Sequence, residues 1–346
     1  MVSRLGPGFE FDLIRRFLQD MPPLPDDVRV GPGDDAAVLR DGTVVSVDMS
    51  VENVHFRREW LEPEDIGYRA AAAALSDLAA MAAEPVAALA AAAFPQQDVP
   101  PFAERVVQGL RQAVEDAGAV LVGGDVSLSP GPVVLDITVL GRAERPVLRS
   151  GVQPGDEIWV TGELGGPAVA VVELATGGVP PPGAAQAFRH PVPRIAEARW
   201  LAEQVALHAL IDLSDGLSGD AAHLAAASDV SITLRSADVP VHPDLAATGN
   251  ERRRIKGSLA GGEDYELCLA AAPGAIEAVH DAFVERFGLR LTRVGVAQAG
   301  AGVTILDAEG AVLKFGDFHG ATLWPAQGQG EDLGGYDHFK KSGGSG

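Results

Sequence analysis

Apolar residues recur along this chain in two rhythms. Spacings of three and four residues mark helices, whereas alternation and short unbroken apolar runs mark strands. Phe11, Ile14, Phe17 and Leu18 give a helix over Glu10–Leu18, closed by the proline-rich stretch Pro22–Pro25. Two apolar, β-branched runs flank Asp41-Gly42, which predicts a hairpin whose second strand, Val44–Val47, ends on Asp48. Pro63-Glu64-Asp65 opens a long helix through Met81, with proline in the first turn and acids near the positive end of the dipole. Within it, Ala70–Ala74 offers a small-residue surface for close approach. A strand over Val86–Ala93 and a helix over Phe102–Ala117 follow. Val120–Val122 reads as a short buried strand running into Gly123-Gly124-Asp125, and Val133–Leu140 as the strand that closes the first half.

Val147–Gly155 has the Pro/Gly character of a linker and is taken as the domain boundary. Beyond it the pattern predicts a strand at Glu157–Val160, a glycine-rich turn and a helix to Thr176. A loop at Pro180–Gly183, a helix at Ile195–Gln204 and a strand at Ala209–Leu213 come next. A helix begins near Ser218, a strand follows Gly261-Gly262-Glu263-Asp264-Tyr265, and a helix spans Ala275–Phe287. Strands at Leu291–Val296 and Val303–Leu306 complete the pattern. Arg252-Arg253-Arg254 reads as a solvated face. Strands and helices mix without a repeat of solenoid period, so the expected class is α/β (α+β) in two domains.

The 346 residues carry 27 Lys+Arg against 48 Asp+Glu, a net charge of -21. That balance argues against a nucleic-acid partner, and an anionic substrate then needs metal ions or a local cationic group. Cys268 stands alone, which excludes an internal disulfide and a thiolate metal cluster. No leader pattern and no apolar run of membrane-spanning length is present, so a cytoplasmic protein without a membrane partner is expected. The closing Ser-Gly-Gly-Ser-Gly after Lys340-Lys341 looks like a flexible tail.

Chemistry gathers on aspartates. Asp34, Asp35, Asp48, Asp77, Asp125, Asp212 and Asp215 each lie at the end of an apolar element or in a glycine turn. Two carboxylates about 4 Å apart repel by roughly 4 kcal/mol at an effective dielectric of 20, so a cluster needs water or a cation among its members. All-oxygen donors suit Mg²⁺ rather than zinc. Plainer readings stand beside these: Asp77 on the solvent side of its helix, Gly123-Gly124-Asp125 as a simple turn, Ser214 or Asp215 as a helix cap. Gly31-x-Gly33-x-x-Ala36 matches the dinucleotide fingerprint on paper. Only a few residues separate it from the Asp41-Gly42 turn, too few for the helix that would hold pyrophosphate. A P-loop and the protein-kinase motifs are absent from the sequence.

Taken together, GDDAAV (33–38), SVDMSVENVHF (46–56), LSDLAAM (75–81), GGD (123–125), RSGVQPGD (149–156), DLSDGL (212–217) and GGEDYEL (261–267) resemble the thiamine-monophosphate kinase family in order and spacing, with GYDHF (335–339) similar to its ending. The resemblance implies phosphorylation of thiamine monophosphate by ATP with Mg²⁺, and a homodimer. It implies the two-domain fold of aminoimidazole ribonucleotide synthetase: an N-terminal mixed sheet pairing across a dimer, then a C-terminal α/β domain. The domains are expected at 1–146, for ATP and Mg²⁺, and at 147–324, followed by a C-terminal segment at 325–346. Implied Mg²⁺ positions are Asp35, Ser46, Val47, Asp48, Asp77, Asp125, Asp212 and Asp215, with Asp34 behind them. Asp48, Asp125 and Asp215 are implied as catalytic. ATP is implied at Gly124, Asp125, Arg149 and Ser214, and the thiamine phosphate at His55, Glu263 and Trp324, with Phe318 and Leu333 as competitors for the last.

Departures from the family pattern are Val47 and Met49 where threonines are common, which leaves the Val47 carbonyl as a ligand, and Ala260 before Gly261-Gly262. The acceptor phosphate of such a reaction is already a nucleophile, so His55 is expected to position rather than to abstract a proton. The rival readings are another ATP-dependent synthetase of the same superfamily and a nucleotide- or metal-binding regulator.

Overall fold

The computed structural model describes residues 9–313, with side chains from Asp12 onward. Along the first half run α1 (Phe9–Leu18), β1 (Val28–Val30), β2 (Ala37–Leu39), β3 (Thr43–Val51), α2 (Pro63–Ala80), β4 (Glu84–Phe94), α3 (Phe102–Asp116), β5 (Val120–Leu128) and β6 (Val134–Arg142). Then follow β7 (Glu157–Thr161), α4 (Gly166–Ala175), α5 (Pro182–Arg189), α6 (Ile195–Gln204), β8 (Leu207–Asp212) and α7 (Leu217–Ser228). The chain continues through β9 (Val230–Arg235), α8 (Pro243–Ala246), α9 (Glu251–Ala260), β10 (Leu267–Ala271), α10 (His280–Phe287), β11 (Leu291–Ala299) and β12 (Gly302–Leu306). Two compact units result: Pro25–Pro146 with Arg189–Arg199, and the rest of the described residues.

The first unit is a six-stranded sheet in the order β1-β2-β3-β6-β4-β5. β4 and β5 are parallel, joined through α3, and every other neighbouring pair is antiparallel. The Asp41-Gly42 turn forms as expected: Gly42 sits at φ 85° and its N–H donates to the Leu39 carbonyl at 3.1 Å. Two strands differ from expectation. β3 runs on to Val51 because β6 pairs with it throughout, from Thr43 opposite Arg142 to Val51 opposite Val134. Asp48 therefore stands inside a strand rather than at its end. β5 is nine residues long and includes Gly123, Gly124 and Asp125, and it is exposed rather than buried: Val122 is 59% and Val126 66% accessible. Among the described residues it pairs only with β4, and no strand lies at its other edge.

α2 and α3 pack together, and α2 covers one face of this sheet. Alternation turns Val44, Ala88, Ile137 and Val139 towards that face, all fully buried, and leaves Val47, Met49 and Leu89 on the other, exposed. The Ala70–Ala74 run is buried, as a close-approach surface should be. An added Cβ on Gly67 of α2 would stand 1.8 Å from the Val106 carbonyl oxygen, and one on Gly109 of α3 would stand 1.8 Å from that of Glu64. The two helices thus meet backbone to backbone, which only glycine permits. The segment Arg189–Arg199 joins this unit through His190, whose ring stacks on Tyr68 at 4.5 Å while Nε2 lies 2.9 Å from Asp65 Oδ1.

The second unit has a six-stranded sheet in the order β12-β9-β11-β7-β10-β8, antiparallel except for β12 and β9. α7 packs on it through Leu217, Ala221 and Leu224, closing a core with Ile158, Val160, Ile211, Ile232 and Cys268. The stretch Val147–Gly155 is irregular but fixed to this unit. Leu210 N–H donates to the Leu148 carbonyl at 3.1 Å, and the Gly151 and Val152 N–H groups donate to Ser228 Oγ, each at 3.1 Å. Pro182, expected in a loop, instead begins α5, since proline suits a first turn. The helix expected over Ala275–Phe287 is divided: a 3₁₀ turn at Glu277–Val279, with Val279 N–H donating to the Ile276 carbonyl, precedes α10. Arg252 and Arg253 are exposed on α9, and Arg254 pairs with Glu251 one turn back. Among the described residues no helix is long and apolar enough to cross a membrane.

Candidate active site

In the first unit the site begins at a glycine turn. Gly33 sits at φ 113°, and the following Asp34 Oδ1 accepts from the Asp35 N–H at 3.2 Å, so Asp34 supports Asp35, which is 7% exposed. β3 presents Ser46 towards α2, where the hydroxyl donates to Asp77 Oδ2 and lies 3.1 Å from the Asp35 carbonyl. Carboxylate oxygens of Asp35 and Asp77 lie within 4.8 Å of one another. Asp77 is therefore turned towards the sheet, not to solvent. Asp48 follows Ser46 by two residues and shares its face. The donors are all oxygens, the Asp35 and Asp77 carboxylates and a hydroxyl bonded to the second of them, a set that fits a hard divalent cation such as Mg²⁺.

Val47 and Met49 project to the opposite face, 59% and 49% exposed. A hydroxyl on the residue-47 side chain would also emerge there, away from Asp77. Asp125 lies on that opposite face too: it is paired with Ala91, which is paired with Asp136, which is paired with Met49. Its Oδ1 accepts from the Val126 N–H at 2.9 Å. An added Cβ on Gly124 would stand 1.9 Å from the Ala90 carbonyl oxygen, so glycine there lets β5 lie close to β4. The structure therefore gathers Asp35, Ser46 and Asp77 but sets Gly124 and Asp125 three strands from β3.

His55 ends this region. The Val51 N–H donates to His55 Nδ1 at 3.0 Å, which requires that nitrogen to be unprotonated and places the ring proton on Nε2. The side chain is a hydrogen-bond donor at its outer nitrogen.

In the second unit two loops are bonded side by side. Leu213 N–H donates to the Glu266 carbonyl at 2.8 Å, Tyr265 N–H to the Leu213 carbonyl at 2.9 Å, and Glu263 N–H to the Ser214 carbonyl at 2.7 Å. Asp212, 3% exposed, ends β8 just below them. Glu263 and Tyr265 hold φ of 60° and 50°, conformations that side chains rarely adopt and that cost free energy unless the surroundings enforce them. The enforcing contacts include the Gly165 N–H, which donates to Asp264 Oδ1 at 2.8 Å, and Thr161 Oγ1, which donates to Glu266 Oε2 at 2.6 Å. Burial pushes the Asp264 carboxyl well above the usual carboxylate range, and the nearby Glu266 and Glu263 charges push the same way. Gly216 precedes α7 at φ 102°, ψ 149°, and no side chain caps that helix, so neither Ser214 nor Asp215 serves as its cap.

Arg149 stands apart from these loops within the unit, its carbonyl 3.3 Å from Ser228 Oγ at the far end of α7. Trp324, Phe318, Leu333, the GYDHF ending and the glycine-serine tail lie outside the described residues. Sequence reasoning overlooked His223 and Asp220. They sit on α7 with side-chain oxygens and nitrogen within 4.8 Å of Asp215, and the Asp-x-x-His spacing, one helical turn, was the available signal.

Residues 33–143 match the family described as AIR synthase related protein, N-terminal domain, and residues 153–307 match its C-terminal domain. The chain thus carries both domains of the AIR synthase related class in order. A thiamine-monophosphate kinase from Rhodopirellula baltica is 34% identical over 285 residues, covering 78% of this chain and 83% of the relative. The crystal structure of thiamine-monophosphate kinase from Stenotrophomonas maltophilia aligns at a TM-score of 0.72 and 31% identity, covering 87% of this chain and 96% of that one. A solved complex of AaThiL with AMPPCP and TMP aligns at 0.70 and 28% identity, covering 88% and 93%. The chain belongs to the thiamine-monophosphate kinase family.

Proposed function

We propose that this protein phosphorylates thiamine monophosphate with ATP, giving thiamine diphosphate and ADP by direct in-line transfer of the γ-phosphoryl group. Membership of the family carries this reading, and the likeness to a complex holding both AMPPCP and TMP supports it. The acceptor is a phosphate monoester with a second pKa of about 6, so at neutral pH it is already a nucleophile. No residue has to remove a proton from it, and none has to carry the phosphoryl group. His55, with Nδ1 engaged and the proton on Nε2, suits a donor that orients the acceptor.

What the site must overcome is repulsion between two anions. Asp35, Ser46, the Val47 carbonyl, Asp48, Asp77, Asp125, Asp212 and Asp215 are the residues assigned to hold Mg²⁺, which offsets that charge when bound. Among them Asp48, Asp125 and Asp215 are assigned to the chemistry itself. Gly124, Asp125, Arg149 and Ser214 take the ATP side; His55, Glu263 and Trp324 take the thiamine phosphate. Residues 1–146 form the ATP- and Mg²⁺-binding domain, 147–324 the C-terminal α/β domain, and 325–346 a terminal segment. The setting is cytoplasmic, with no nucleic-acid partner.

The protein acts as a homodimer. The register of the first sheet supports this: β5 is an exposed apolar edge, and Asp125 faces away from Ser46 and Asp48. Three inter-strand steps put it about 14 Å from β3. Asp125 therefore serves the cations of a second copy.

The test is a turnover assay with ATP, Mg²⁺ and thiamine monophosphate, reading both products. Equimolar ADP and thiamine diphosphate are expected. ADP without thiamine diphosphate would point to a synthetase of the same superfamily, and no turnover to a regulator.

A further inference from the structure

Two polar side chains in the core of the second unit lie directly behind Asp215. Asp220 and His223 occupy successive turns of α7 on one face; Asp220 is 2% exposed and His223 6%. His223 Nε2 lies 3.9 Å from Asp215 Oδ2, and ligand atoms of all three residues fall within 4.8 Å of one another. Asp215 itself is partly exposed, at 30% of its side chain. The imidazole thus stands close to a partly exposed carboxylate, Asp215, and to a buried one, Asp220. That core position is real chemistry for the neighbours: Asp220 adds to the rise in the Cys268 thiol pKa that burial causes.

Keeping a carboxylate and an imidazole in the core costs free energy unless they engage each other and something beyond. Nothing on α7 needs them as caps, because Gly216 opens the helix without one. Among the carboxylates they approach is Asp215, on a loop whose Leu213 and Ser214 are bonded through their backbone to the Glu263–Glu266 turn. Ligand carboxylates need a partner that fixes which oxygen faces the ion, and losing such a partner costs 10- to 100-fold in metal affinity.

We propose that His223, itself oriented by Asp220, is a positioning residue for Asp215. The ring engages Oδ2 and leaves Oδ1 as the oxygen for a divalent cation. This rests on the assignment of Asp215 as a cation ligand, and the experiment separates the two.

Binding of Mn²⁺ to the full chain in the presence of AMPPCP is measured by the electron paramagnetic resonance signal of the free ion, for wild type, His223→Gln, His223→Asn and Asp215→Asn. The glutamine amide reaches the place of Nε2, whereas the shorter asparagine amide reaches only that of Nδ1. Melting temperatures without metal monitor the fold. The expected result is that His223→Gln binds Mn²⁺ within about threefold of wild type while His223→Asn is weakened at least about tenfold, with the two melting alike. Equal Mn²⁺ affinity in the two variants overturns the proposal, because a merely structural histidine does not distinguish reach. A ¹⁴N coupling from a coordinated imidazole in wild type also overturns it, since His223 would then be a ligand itself. If Asp215→Asn binds Mn²⁺ like wild type, the ligand assignment fails and this inference with it. If Asp215→Asn weakens binding and neither His223 variant does, only the positioning role fails.

Discussion

The Ser46 hydroxyl, on the middle of β3, donates to Asp77 Oδ2, near the end of α2. One side chain of the sheet thereby holds the rotamer of a helix carboxylate within 4.8 Å of the Asp35 carboxylate, against their mutual repulsion. Removing it frees Asp77 to swing away. Ser46→Ala is expected to raise the Mg²⁺ concentration for half-maximal rate about 10- to 100-fold, with a smaller loss than Asp77→Asn, which removes a charge. Titration calorimetry with Mg²⁺ checks this; unchanged affinity in Ser46→Ala would count against a cation at Asp35 and Asp77.

Asp48 and Asp125 project from opposite faces of one sheet, which makes their cooperation a question of subunit exchange. Asp48→Asn and Asp125→Asn are each expected to be nearly inactive. Mixed and allowed to exchange, they should recover about a quarter of wild-type activity, because half the dimers are mixed and each of those has one site with both acids intact. A mixture as inactive as its parents would show that the two acids serve one site within a single copy.

Gly67 and Gly109 are expected to tolerate no methyl group. Gly67→Ala drives Cβ into the Val106 carbonyl and should cost about 1–3 kcal/mol or more, a fall in Tm of about 2–4 °C per kcal/mol. Gly131, with open space where a Cβ would be, is the control. Gly131→Ala should stay within about 0.5 kcal/mol of wild type. Equal melting of the two variants would mean that the helices sit further apart than described.

Asp264 gives a pH signature of unusual sign. Its folded pKa is raised above the unfolded one, so the folded state holds the proton more tightly. The cost of ionising it in place is absent below the unfolded value of about 3.9. It grows as pH climbs towards the folded value, and is complete above that. Asp264→Asn keeps an oxygen for the Gly165 N–H and has no proton to lose. Wild type should therefore lose stability relative to Asp264→Asn as pH rises from about 4, measured by urea unfolding across a pH series. A constant difference would remove the buried ionisation.

What the sequence made legible was local. Asp41-Gly42 specifies its hairpin by turn chemistry alone, and Pro63 with its following acids starts α2. The motifs around Asp35, Asp77, Ser214 and Glu263 marked residues that the fold then gathered within each unit. What it hid depends on partners far along the chain. The extent of β3 is set by β6, about ninety residues later, and the exposure of β5 by its place at the end of the sheet order among the described residues. The facing of Val47 follows from that same pairing, so a departure that looked like a lost hydroxyl ligand concerns the face of Asp125 rather than that of Asp77. His223 carries little signal in the sequence, because one histidine among alanines fits core filling, and only the fold sets it 3.9 Å from Asp215.

The seating of α2 on α3 reaches further than stability. Gly67 and Asp77 belong to the same helix, ten residues or about 15 Å apart, and both glycine contacts are made against main chain. Trimming a neighbouring side chain cannot relieve a methyl group at either position; only sliding the whole helix can. Such a slide would carry Asp77 away from Ser46, so the depth at which that carboxylate meets the sheet is calibrated by two absent carbon atoms near the opposite end of the rod.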